Sequence, residues 1–236
     1  MTAILAIETA TDACSVALFR NGEYLQRHEV QPRQHAQRLF PMLGEILAGG
    51  NLREQGITAL AYGCGPGSFT GLRIAASAVQ GLSFANELPA VPVSTLACQV
   101  ATAFRLGDID GSRPVLSTID ARINEIYWAV YDIEHGLPHL LHGPFATAAP
   151  EVAVDGDLGM LDVLGSGYNA ADAFRRELSS RFARTLPDVL PQARDLVPAA
   201  LASHARGEMQ TADEIQPLYV RDEISWKKLS EQGKRA

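Results

Sequence analysis

The densest group of residues able to meet an anion is the run Gly63–Arg73, GCGPGSFTGLR. Its glycines allow close backbone approach, and Pro66 stiffens the turn. Ser68 or Thr70 is placed to cap a following helix, whose first N–H groups would face negative charge for about 0.3–1 kcal/mol each. Arg73, one turn further on, has the fork geometry for a phosphate or a carboxylate. Better-known loops do not fit. No Gly-Lys closes the run as a P-loop requires, and Thr70 stands where the dinucleotide pattern needs its third glycine after Gly65 and Gly67. A nucleophile elbow would need glycine at Pro66 and Thr70, which makes Ser68 a poor nucleophile. Binding remains, with an ordinary capped strand-to-helix turn as the plainer alternative.

Other polar residues give weaker signals. Glu8, Thr9 and Thr11 close the first apolar run and either face a nucleotide or metal or simply end a strand. Asp120-Ala121-Arg122 reads as a turn holding a salt bridge. His135, His139 and His142 have helical spacing, but Gly136, Pro138, Gly143 and Pro144 forbid the helix, so a solvent loop without metal is expected. His35 has no second histidine four residues away, so the zinc-protease pattern is absent and a surface or capping role is expected.

Charge and cysteine usage exclude several classes. The only lysines are Lys227, Lys228 and Lys234, which rules out a Schiff base or lysine general base in the folded body. A net charge of -7 argues against tight autonomous binding to nucleic acid. Cys14, Cys64 and Cys98 form no C-x-x-C pair and read as reduced cytoplasmic thiols. The N-terminus lacks a basic lead-in, and no apolar run reaches the ~20 residues of a membrane helix.

The elements that must position these residues follow from periodicity. Strands are expected at 3–9, 15–20 and 23–30, the last two joined by Asn21-Gly22, a strong hairpin signal. A helix over 34–48 carries Ala36, Leu39, Leu43, Ile46 and Leu47 on one stripe, with Pro41 implying a kink or a late start. A strand at 57–63 leads into the glycine run, and a small-residue helix follows over 69–85. Strand 90–93 then precedes a helix over 95–104 capped by Ser94. Beyond a linker at 107–113 the pattern restarts with strands at 115–120 and 125–132, a loop or hairpin end at 135–144, and a strand at 161–164. Helices over 170–183 and 194–206 complete it. Two α/β units are expected, 1–106 and 107–236.

Together, LAIETATDACSVAL, QHAQRLFPML, GCGPGSFTGLRIAASAVQGL and IDARINEIYWAVY resemble the bacterial TsaB (YeaZ) family of tRNA threonylcarbamoyladenosine biosynthesis. The resemblance implies an α/β, actin-like ATPase (ASKHA) fold with two RNase H-like lobes. It also implies a non-catalytic role as partner of TsaD, which transfers threonylcarbamoyl to position 37 of tRNAs reading codons that start with A. TsaC makes the activated precursor and the ATPase TsaE assists. Partners would be TsaD, TsaE and a second copy of the chain, with tRNA reached only through the complex. No cofactor is firmly implied; ATP or ADP would belong at the interface with TsaD. The implied interface comprises Gly65, Pro66, Gly67, Ser68, Phe69, Thr70, Gly71, Arg73, Ala76, Gln80, His35, Leu39 and Met42. Glu8, Thr9, Asp120 and Arg122 form a secondary polar set, with no catalytic residue and no metal. Gln80 departs from the lysine many relatives carry. A stand-alone ATPase or kinase of the same fold, and a metallopeptidase, are the competing readings.

Overall fold

The computed structural model describes residues 2–154, 156–170 and 174–220. Its first sheet contains β1 (Ile4–Glu8), β2 (Ala13–Arg20), β3 (Glu23–Val30), β4 (Ala59–Gly65) and β5 (Ala90–Ser94), in the order β3-β2-β1-β4-β5. β1 and β4 are buried along their whole length, as their near-continuous apolar runs require. β1 pairs antiparallel with β2 and parallel with β4. Asn21 and Gly22 both take positive φ, 55° and 84°, and close the hairpin with Arg20 opposite Glu23. α1 (His35–Ile46) precedes β4 and continues across Pro41; α2 (Phe69–Asn86) carries the chain from β4 to its parallel neighbour β5.

The second sheet repeats this plan. β6 (Val115–Arg122), β7 (Glu125–Glu134), β8 (Leu137–Ala148), β9 (Leu161–Leu164) and β10 (Phe182–Leu186) lie in the order β10-β9-β6-β7-β8. Counted from its own first strand, this sheet has the same neighbours as the first, with the same antiparallel and parallel steps. The duplication gives two lobes of RNase H-like topology. Between them lies α3 (Thr95–Leu106), capped by Ser94 as its sequence implied. Leu96, Val100 and Ala103 of α3 pack with Val115, Ile119 and Ala129 of the second sheet, while Cys98 joins the core of the first.

Three expectations are corrected. The helix expected over 170–183 is replaced by α4 (Gly167–Ala170), α5 (Arg176–Ser179) and β10; residues 171–173 lie outside the described residues. Parallel pairing with β9 fixes Phe182–Leu186 as a strand despite its mixed local signal. Of the loop or hairpin end expected at 135–144, the hairpin end is present as the turn His135-Gly136. The loop is corrected to β8, laddered to β7 from Leu137 opposite Glu134 to Ala148 opposite Glu125. An irregularity near Trp128–Tyr131 accommodates the glycine and proline of that strand. Finally, the unit expected to begin at 107 gives up its later residues to the first sheet. Ala193, Leu196, Val197 and Ala200, from a 3₁₀ turn and α6 (Val197–Arg206), cover the face made by Ile4, Ala6 and Ala17. Residues 207–220 then return across the same lobe as a strap, with Gln210 bridging Ala90 and Ile215 buried in its core.

Candidate functional site

The glycine run lies where it was expected, at the β4-to-α2 turn, but its glycines make room for the chain itself. A Cβ at Gly71 would overlap the Thr9 carbonyl oxygen, and one at Gly65, where φ is 121°, would lie 3.0 Å from the Leu218 carbonyl oxygen. Ser68 is the cap: its Oγ accepts from the Gly71 N–H at 3.3 Å, and its own N–H donates to Ala10 O at 2.7 Å. Backbone is thus stitched to backbone, so these close approaches are explained without a bound phosphate.

Of the two readings open for Glu8 and Thr9, a nucleotide- or metal-facing pair or a polar strand end, the geometry favours the second. Both are fully buried behind the loop. The Thr9 hydroxyl donates to Gly71 O at 2.7 Å. The Glu8 carboxylate accepts from the Ala10 N–H at 2.7 Å and from the Thr95 hydroxyl at 3.3 Å. Burial pushes the Glu8 carboxyl up to about 7, against the smaller opposing effect of those hydrogen bonds. Burial likewise pushes the thiol of Cys14 up to about 11, with Glu29 and Glu8 adding to it. It pushes that of Cys64 up to about 12 and raises that of Cys98 well above its ordinary value, Glu8 adding to both.

Asp120 and Arg122 do reach an open site. Arg122 Nη1 lies 2.9 Å from Asp120 Oδ2, the expected salt bridge, and Ser166 Oγ accepts from the Asp120 N–H at 3.1 Å. These residues line a cleft of about 1500 Å³ bounded also by Thr11, Asp12, residues 66–72 of the glycine run and residues 218–220. His35 borders it too, but is buried, with Nε2 3.1 Å from Ala13 O; it anchors the start of α1 rather than capping from the surface. His139 lies against Asp132 and Glu134 on the β7–β8 pair, at 3.2 and 3.6 Å, while His142 packs on Trp128 and Phe145. The three histidines therefore do not converge. Among the described residues, Asp132, Glu134 and His139 form the one group of metal-ligand type, away from His35.

The helical surface needs the largest correction. Leu39 and Met42, expected at a partner interface, are completely buried in the first lobe's core, and Ala76 is nearly so. Their stripe faces the sheet. The opposite faces instead expose Phe40 on α1 and Phe69 and Phe84 on α2, at 61%, 53% and 79% of full exposure. Arg73 lies on this outer face, its guanidinium 3.6 Å from the Phe69 ring centroid. Gln80 is exposed and donates to Ala212 O at 2.9 Å. Phe40 and Phe84 were missed, although each is a large apolar residue off its helix's buried stripe, and that is the signal that could have found them.

No helix among the described residues is long and apolar enough to cross a membrane. Comparison with known proteins adds the following. Residues 28–139 match the family described as TsaD, tRNA N6-adenosine threonylcarbamoyltransferase. The chain is 39% identical over 231 residues to the tRNA threonylcarbamoyladenosine biosynthesis protein TsaB of Escherichia coli K12, covering 96% of this chain and 97% of that protein. It is 35% identical over 238 residues to the Haemophilus influenzae protein of the same name, covering 96% of each. A solved structure of YeaZ from Pseudomonas aeruginosa is 38% identical, with a TM-score of 0.81 over 93% of this chain and all of that one.

Proposed function

Because the chain belongs to the TsaB (YeaZ) family of tRNA threonylcarbamoyladenosine biosynthesis proteins, we propose that it is the non-catalytic partner of TsaD. In this reading TsaD performs the transfer to position 37 of tRNAs reading codons that start with A. The present chain docks on TsaD through the outer faces of α1 and α2, or pairs there with a second copy of itself. TsaE joins the assembly, tRNA is met only through the complex, and the work is done in the cytoplasm, where three buried thiols stay reduced.

The observation that carries the reading is the exposed aromatic face. Two helices that cover the first sheet leave Phe40, Phe69 and Phe84 in water. Large aromatics left exposed along the outer faces of both helices suit a surface that meets another protein, where aromatic residues are enriched. The test is reconstitution of tRNA modification from purified TsaC, TsaD and TsaE, with and without this chain. Modification that depends on the chain is expected; equal yield without it would falsify the proposal.

The cleft favours one second reading, an autonomous ATPase or kinase-like activity, since Asp120 and Ser166 face a space large enough for a nucleotide. Phosphate release by the purified chain, lost in Asp120→Asn, is the result that reading requires. ATP or ADP held only in the presence of TsaD is the result expected here.

A further inference from the structure

The strap of residues 207–220 is firmly tied to the first lobe. The Leu218 N–H donates to Cys64 O at 2.7 Å, and Gln210 exchanges backbone hydrogen bonds with Ala90 at 2.7 and 2.9 Å. The Tyr62 hydroxyl reaches Gln210 Oε1 at 2.8 Å, and Ile215 is buried. These ties bring Tyr219 onto α2, the helix that carries Arg73. Arg73 Nε donates to the Tyr219 hydroxyl at 3.2 Å, and the guanidinium carbon lies 6.0 Å from the Tyr219 ring centroid and 3.6 Å from that of Phe69. The two rings are themselves 6.0 Å apart.

Arg73 is exposed and forms no ion pair among the described residues. It is also the sole charged residue of α2. Arg73 does not line the cleft, and no carboxylate among the described residues pairs with it, so its outward edge is open to a carboxylate of another protein. A single cation among exposed aromatics, on a chain of net charge -7, is poorly suited to gather a phosphate backbone. It suits one carboxylate meeting an apolar surface. Arginine and tyrosine clustered in this way are the residues that dominate protein–protein affinity.

We propose that Tyr219 is a positioning residue that aims Arg73 at a carboxylate of the partner protein, so that strap and α2 form one partner-binding surface. The proposal rests on the reading of this chain as a partner of TsaD. Its physical basis is preorganisation: stacking and the hydroxyl fix a long side chain whose rotamers would otherwise be lost on binding.

The test is a double-mutant cycle on the full chain, read as affinity for TsaD, with thermal melting to confirm each variant is folded. Arg73→Ala and Tyr219→Ala are each expected to weaken binding about tenfold, and the double variant no more than Arg73→Ala alone, since Tyr219 acts through Arg73. Tyr219→Phe keeps the ring, loses the hydrogen bond and is expected to fall between. Wild-type affinity in folded Tyr219→Ala, or effects that multiply in the double variant, overturns the proposal. Binding of tRNA alone that is lost in Arg73→Ala would assign a phosphate and overturn it as well. If the wild-type chain does not bind TsaD, both this proposal and the reading beneath it fail.

Discussion

Replacing Glu8 by glutamine tests how the buried carboxyl behind the glycine run is held. Glu8 lies beside Gly63, where a Cβ would overlap its carboxylate, and takes hydrogen bonds from Ala10 N–H and Thr95 Oγ1. A glutamine can keep both, accepting from Ala10 with Oε1 and donating to the Thr95 hydroxyl with Nε2. What it removes is ionisation. Burial raises the Glu8 carboxyl from 4.5 to about 7, so between those values the folded chain holds a proton that the unfolded chain has released. Stability contributed by Glu8 is therefore complete below pH 4.5 and is lost as the pH rises through 7. At 1.36 kcal/mol for each unit, the loss on reaching pH 8 is about 3 kcal/mol. Urea denaturation of wild type and Glu8→Gln at pH 4.5 and pH 8 measures it. Any fixed cost of the amide cancels, and the difference between the proteins is expected to move by about 3 kcal/mol in favour of the variant. In melting temperature this is about 6–12 °C for a chain of this size. A difference that does not change with pH would refute the reasoning, because it would mean that Glu8 is ionised in the fold.

Gly71→Ala should destabilise by about 3 kcal/mol, since its Cβ meets the Thr9 carbonyl, whereas Gly81→Ala, with open space around it, should stabilise by roughly 0.5–1 kcal/mol; chemical denaturation of the two variants compares them. Arg105→Ala strips the buried Asp195 of its bidentate partner at 2.6 and 2.9 Å and should cost about 3 kcal/mol by the same measurement. Native Cys14, Cys64 and Cys98 should resist a thiol reagent at pH 8 and react together on unfolding, because burial both hides them and raises their thiols. Phe84→Asp should leave stability within about 0.5 kcal/mol of wild type, the side chain being 79% exposed, while weakening association with TsaD in a binding titration.

Local chemistry made much of this legible. Asn21-Gly22 can hardly be anything but a tight hairpin, and Ser68 and Ser94 cap the helices they precede. Features decided at long range were not legible. Phe182–Leu186 has no strong pattern of its own and becomes a strand through its pairing with β9. The strap's sequence predicts no element, and its bonds to Ala90, Tyr62 and Cys64 give it its place. At the site, periodicity correctly grouped Leu39 with Leu43 and Ile46, yet that stripe is the one the sheet buries. The face proposed to meet a partner is marked by Phe40 and Phe84, which break the pattern. Glu8 illustrates the same limit, for its burial depends on β4 and α3 closing over the end of β1.

The central claim is that the outer face of α1 and α2 meets TsaD. A photo-reactive benzophenone side chain installed in place of Phe84, and separately in place of Ile123 at the β6–β7 turn, tests it most directly, since both positions are about 80% exposed. On irradiation in the presence of TsaD, capture from position 84 and none from position 123 is the predicted result. Capture from position 123 alone, or from neither position while the proteins are associated, would contradict the account.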